Sequence, residues 1–371
     1  MNNDYSVTLS IGGQTLIGMF VSVIPSIISD VTTEFTMTGI TVAAIGLIFP
    51  ARAVGAVVGN MGGGIGSDWV GRQQLVWGSA LLLALALIFA ALINPWILFL
   101  VVFVLAGVGQ GALAVSLNAL MADTNDKVRA WMLNISHAGF GIGAAVSPLV
   151  IGWFIAQGVP WRWTLGGVAL IWLAYGLLTY RFLAKDKLRT SRKKAGLNFR
   201  LLKDPIILSV FLINFIFNGL NWGLVGWMAP FLQESGFLIF FAIATISFYH
   251  LASTAGRFAC AVYADRFGYG RTLLLLTMSL AVTYPLVLIM DWHPSVVILW
   301  VILIGLGTSG LVPISMAYAV RRYPDQSGVI SGMLYIGMTL GSMVTPLWTG
   351  IIADMWSFQA AMVANYAMIP P

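Results

Sequence analysis

Apolar residues in this chain fall in long runs parted by short polar breaks. The runs cover roughly 9–29, 39–62, 74–93, 96–121, 131–155, 163–183, 206–232, 237–262, 271–290, 295–319 and 328–350. At 1.5 Å per residue, each makes a helix long enough to cross about 30 Å of hydrocarbon. Strands of a membrane barrel would be about ten residues long with strict alternation, and no such stretch occurs. The pattern therefore predicts an all-α polytopic membrane protein. One more apolar run, Phe358 to Ile369, is too short for an ordinary span.

Two signatures recur along these runs. Gly64-Ile-Gly-Ser-Asp68-Trp-Val-Gly71-Arg72 is echoed by Ala261-Val-Tyr-Ala-Asp265-Arg266-Phe-Gly268-Tyr-Gly-Arg271, 197 residues later. Gly139, Gly143 and Pro148 are echoed by Gly337, Gly341 and Pro346, 198 residues later. One duplication explains both offsets. It divides the chain into a six-helix bundle over 1–183, a linker over 184–205 and a second bundle over 206–371. Two pseudo-symmetric six-helix bundles require a twelfth helix, so the last one is expected to be truncated. Duplicated bundles interrupted by Gly and Pro are the usual build of secondary transporters.

Composition and charge sharpen this picture. Hydrophobic residues make up 59% of the chain and charged residues 9%, against roughly 25% charge in soluble domains. The net charge of +6 is not gathered into a nucleic-acid patch. It sits in the loops near 63–73, 122–130, 184–205, 263–271 and 320–327. The alternate loops hold Asp30, Glu34, Asn94, Glu234, Asp291 and Asp354, with Arg162 as their one basic residue. Positive loops stay inside, so the N-terminus and the 184–205 loop are expected in the cytoplasm of a cell whose inner membrane the chain spans. The first run has no basic flank or small-residue cleavage site and is expected to be retained. Cys260 is the only cysteine and implies neither disulfide nor metal site. The three histidines lie on different segments without ligand spacing. No lysine follows the Gly62–Gly66 run, which succeeds a membrane helix rather than a strand, so ATP binding there is rejected. No cofactor, metal or catalytic residue is expected.

With these motifs in place, the chain resembles the major facilitator superfamily over about 9–350. The Gly64/Asp68/Gly71/Arg72 segment looks like that family's cytoplasmic loop motif. Ala261 replaces its leading glycine in the second copy, where Asp265, Arg266, Gly268 and Arg271 follow. The resemblance implies alternating access by a monomer, with these residues gating one side. Asn134-Ile-Ser-His137-Ala-Gly139-Phe-Gly141-Ile-Gly143 with Pro148 resembles the fifth helix of sugar-type carriers, closest to the bacterial fucose/glucose symporter group. It also resembles the Gly-Pro stretch of drug/proton antiporters, but Ser147 rather than glycine precedes Pro148.

Polar residues inside the runs mark candidate substrate contacts, because burying them in lipid is costly. Asn214, Asn218 and Asn221 share one helix face at i, i+4 and i+7. Amides both donate and accept, which suits a hydroxylated or amide-bearing solute. Trp222 and Trp227 lie beside them for stacking, and Asn118 and Tyr335 are further lumen candidates. The same stripe also suits bonding between neighbouring helices. Arg52 lies near mid-span, and His250, Ser253 and Arg257 share a face. Two arginines at such depth suit an anion clamp. No carboxylate occupies the middle third of a run, so His137, Asp30 and Asp123 are the candidates for coupling a proton or cation. The leading expectation is a carrier of a small polar solute such as a sugar. Export of an amphipathic drug, carriage of an organic anion or nitrate-like ion, and a transport-inactive sensor or assembly role are the alternatives.

Overall fold

The computed structural model describes residues 3–122, 126–183, 203–288, 293–322 and 327–367. It is an all-α polytopic membrane fold. Ten helices among the described residues are long and apolar enough to cross a bilayer. Contacts divide the chain into two compact units, residues 1–40 with 47–192 and residues 41–46 with 193–371.

Unit 1 contains α1 (Asn3–Thr36), α3 (Ile48–Trp69), α4 (Arg72–Leu92), α5 (Trp96–Ala122), α6 (Asp126–Ala156) and α7 (Trp161–Leu183). The pairs α3/α5, α1/α6 and α4/α7 pack most extensively. Small residues permit this. A Cβ on Gly55 would overlap the Val104 carbonyl, and one on Gly107 would overlap that of Arg52. Lipid tails are as apolar as the helices, so close backbone contact rather than hydrophobic exclusion drives such pairing.

Unit 2 contains the short α2 (Val42–Ile45), then α8 (Pro205–Glu234), α9 (Ile239–Phe267), α10 (Tyr269–Thr283), α11 (Pro294–Thr308), α12 (Leu311–Arg322), α13 (Ser327–Met355) and α14 (Phe358–Tyr366). Here α8/α13 is the dominant pair. The α2 segment packs on α13, and the Val42 N–H donates to Asp354 Oδ1 at 3.0 Å. Sequence boundaries alone placed residues 41–46 with the first half of the chain.

The apolar runs match these helices approximately; the run at 39–62 is divided into α2 and α3, and three other departures have a local cause. The first run was expected to end at residue 29, but α1 continues to Thr36. Its polar last turns are held by Thr33 and Thr36 hydroxyls donating to the Ser29 and Thr32 carbonyls, and by Glu34, described below. The run at 271–290 is helical only to Thr283 and continues as a 3₁₀ turn, Tyr284–Leu288. Pro285 cannot donate to the carbonyl four residues back. That carbonyl, Ala281 O, instead accepts from the Tyr366 hydroxyl at 3.3 Å. The run at 295–319 breaks between α11 and α12, where Pro313 likewise leaves Ser309 O without its helical donor.

Prolines within continuous helices follow the same rule. In α6, Pro148 frees Ala144 O, and the Ser22 hydroxyl donates to it at 2.9 Å, tying α1 to α6. The final helix α14 has nine residues, yet it is well anchored. Asn365 is fully buried and donates to Thr349 Oγ1 at 2.9 Å, and Tyr366 stacks on Tyr284 with ring centroids 6.2 Å apart.

Candidate functional site

The repeated motifs have a visible cause. Gly71 and Gly268 each sit just before a helix with φ of 104° and 89°. A side chain is strained in that region, so each turn requires glycine. Gly143 meets the Thr15 carbonyl and Gly341 meets that of Phe215 so closely that a Cβ would overlap either. Arg72 Nη1 donates to Ala119 O at 3.1 Å, fastening the start of α4 to the end of α5. Asp265, Arg266 and Arg271 are exposed. The side chains of Gly64, Asp68 and His137, and the whole of Asp123, lie outside the described residues.

Among the described residues of unit 1 the deepest charged side chain is Arg52, which is 6% exposed. The close α3/α5 approach brings Gln110 against it, and Arg52 Nη1 donates to Gln110 Oε1 at 2.8 Å. The corresponding place in unit 2 follows from the duplication offset. Tyr249 lies 197 residues after Arg52 and Thr308 lies 198 after Gln110. Their hydroxyls are hydrogen-bonded at 2.7 Å. The two units thus hold a polar pair at matching positions, charged in the first and neutral in the second.

A second pair is related similarly, Asn118 and Ser315 lying 197 residues apart and Gln14 and Asn214 lying 200 apart. Gln14 Nε2 donates to Asn118 Oδ1 at 3.0 Å in unit 1, and Asn214 Nδ2 donates to Ser315 Oγ at 2.9 Å in unit 2. Asn118 itself is exposed. Asn214 is fully buried and also donates to Val210 O at 2.8 Å. Asn218 donates to the Met338 carbonyl of α13. Trp227 is fully buried, its indole N–H donating to Pro346 O at 2.8 Å and its ring lying 5.4 Å from that of Phe358. These three side chains therefore join α8 to its neighbours. Trp222 is half-buried and Tyr335 is 56% exposed.

Asn221 differs from its two stripe partners. Its Oδ1 is buried without a hydrogen bond beside a small cavity lined also by Leu220, Leu224, Tyr249, Tyr284 and Thr308. The space left there is about that of a single water. His250 also buries its Nε2 without a partner, while Arg257 on the same helix is exposed. In α1, one oxygen of Asp30 is buried without a partner. Among the described residues no group of three His, Cys, Asp or Glu could hold a metal.

Sequence reading missed Gln14, Gln110, Tyr249 and Thr308. The signal for the last two was available: adding the repeat offset to Arg52 of α3 and Gln110 of α5 points to them. It also missed the tie at the far end of α1. Glu34 Oε2 accepts from Trp161 Nε1 at 2.7 Å and Oε1 accepts from Arg162 Nε at 3.1 Å. Arg162 reaches on to the Ile93 carbonyl at 2.9 Å.

An all-α polytopic membrane fold of this kind is a common build of secondary transporters. The chain belongs to the Major Facilitator Superfamily, whose model matches residues 11–301. It is 26% identical over 345 residues to a gentisate transporter of Corynebacterium glutamicum, covering 87% of this chain and 75% of that protein. It is 24% identical over 355 residues to a cis,cis-muconate transport protein of Acinetobacter baylyi, covering 91% and 84%. Among solved structures, a bacterial homologue of the human lysosomal transporter Spinster superposes with a TM-score of 0.81. That match covers 99% of this chain and 94% of the other at 15% identity, which establishes the fold alone.

Proposed function

We propose that this transporter carries a small organic carboxylate by alternating access. The observation that carries the reading is Arg52, a guanidinium at mid-span that is 6% exposed and held by Gln110. A guanidinium at that depth avoids lipid and belongs to a polar pathway or pairing site, and its fork matches a carboxylate. Gentisate and cis,cis-muconate, named in two relatives, are both organic carboxylates. The sugar reading rested on the resemblance of residues 134–148 to sugar-type carriers and on the asparagine stripe, in which Asn214 and Asn218 direct their amides to Ser315 and Met338.

Several finer points belong to the same proposal. The units are two pseudo-symmetric six-helix bundles over 1–183 and 206–371 joined by a cytoplasmic linker, the twelfth helix being short. The chain sits in the inner membrane as a monomer, N-terminus inside. Asp68 and Asp265 gate the cytoplasmic side. A proton is the coupled ion, with Asp30 its carrier, since Asp30 keeps one buried carboxylate oxygen without a partner.

Uptake into proteoliposomes with labelled gentisate, muconate, a hexose and a cationic dye tests the reading. Carboxylate uptake that is abolished in Arg52→Gln and largely retained in Gln110→Ala is expected. Uptake of the hexose or the dye without any carboxylate would overturn it.

A further inference from the structure

The end of α9, beside the proposed gating residue Asp265, carries an outward groove. Val262, Tyr263, Arg266 and Phe267 line it, and it is open to the surroundings. Their spacing forms two i, i+4 pairs, so all four lie on one helix face. Val262 is 69% exposed, Tyr263 56% and Phe267 46%. On a membrane-spanning helix, an uncovered face of this kind meets lipid. The Tyr263 and Phe267 rings stack with centroids 5.6 Å apart, and the Arg266 guanidinium lies 5.7 Å from the Phe267 ring. Aromatic rings with an arginine at a span's end mark the headgroup level.

The charge around the groove is positive. Arg321, at the end of α12, places its guanidinium 5.2 Å from the Tyr269 ring just beyond the groove, and Arg271 is exposed nearby in sequence. Arg322 is paired with Asp204 at 3.3 Å. Asp265 is the one acidic residue between positions 262 and 271. Arg266, the arginine of the groove, thus lies against an aromatic ring, leaving its guanidinium edge for an anion.

We infer that this groove is a binding site for an anionic phospholipid, with Arg266 holding the headgroup phosphate and the Val262, Tyr263 and Phe267 face receiving the glycerol and upper acyl chain. The site depends on the chain being a membrane protein and is independent of which solute it carries. An arginine phosphate contact is charge-assisted and bidentate, whereas a zwitterionic headgroup brings no net charge to it.

Native mass spectrometry of the full chain, released from nanodiscs of equal phosphatidylglycerol and phosphatidylcholine, tests the site. The wild type is expected to retain phosphatidylglycerol preferentially. Arg266→Gln should lower that preference about five-fold, the factor for one basic residue at an anionic surface. Arg266→Lys should restore part of it. Arg181→Gln, which removes an exposed arginine from the end of α7, should leave it unchanged. Both replaced side chains are exposed, so folding is not at issue. An unchanged preference in Arg266→Gln, or an equal fall in Arg181→Gln, would overturn the inference.

Discussion

The tie among Glu34, Trp161 and Arg162 yields a prediction whose size follows from its geometry. Glu34 accepts from the indole N–H at 2.7 Å and from Arg162 Nε at 3.1 Å. Arg162 also donates to Ile93 O at the end of α4, so one carboxylate fixes α1, α4 and α7 together. Glu34→Gln removes the charge and turns one acceptor oxygen into a donor facing a donor. A hydrogen bond to a charged group contributes about 1.5–3 kcal/mol. The side chains are 40% and 20% exposed, so water recovers part of that, and the expected coupling between Glu34 and Arg162 is about 1–2 kcal/mol. Glu234 is the control in unit 2, where it is exposed and accepts only the Phe358 N–H at 2.9 Å. Its loss should cost at most about 1 kcal/mol. Equilibrium unfolding in mild detergent, run as a double-mutant cycle of Glu34→Gln and Arg162→Met, measures the coupling. A value under about 0.5 kcal/mol, no larger than an ordinary surface pair, would refute the reasoning.

Three further outcomes are expected. Gly143→Leu and Gly341→Leu should each abolish stable protein, read by size-exclusion chromatography of a fluorescent fusion, because a Cβ there overlaps a backbone carbonyl. Gly78→Ala, with nothing within 4 Å of its added Cβ, should instead stabilise α4 by about 0.5–1 kcal/mol in the same unfolding assay. Asn214→Ala should lower stability by about 1–3 kcal/mol through the orphaned Ser315 contact, with substrate affinity unchanged by isothermal binding, whereas Asn221→Ala should change affinity more than stability.

Hydropathy made the spans legible because it reports the solvent a segment meets, and lipid imposes that on some twenty residues at once. The repeat was legible because Gly71 and Gly268 answer a backbone need that no other residue meets, so the letters themselves persist through duplication. Helix ends were harder. The polar turns after Ser29 read as loop, and α1 continues there only because Glu34 finds donors more than a hundred residues away. The breaks near residues 284 and 309 were hidden because an apolar run looks the same whether its carbonyls bond within the helix or to Tyr366.

The asparagine stripe shows where a sequence argument stops. Spacing at i, i+4 and i+7 fixes a common face, but a face has no partner until another helix is placed against it. Asn214 and Asn218 share that face with Asn221 and meet Ser315 and Met338. A partial turn further along, the same face leaves Asn221 Oδ1 beside a cavity. The matched pairs carry the argument further than the stripe does. Gln14–Asn118 and Asn214–Ser315 are neutral in both units, as expected of contacts that only join helices. At the other matched place, unit 2 keeps the neutral Tyr249–Thr308 pair while unit 1 holds Arg52 on Gln110. A neutral pair suffices to join those helices, so joining them does not require a charge. An arginine at that place fits the proposed carboxylate, whose charge would offset the desolvation of the guanidinium in a way that a sugar would not.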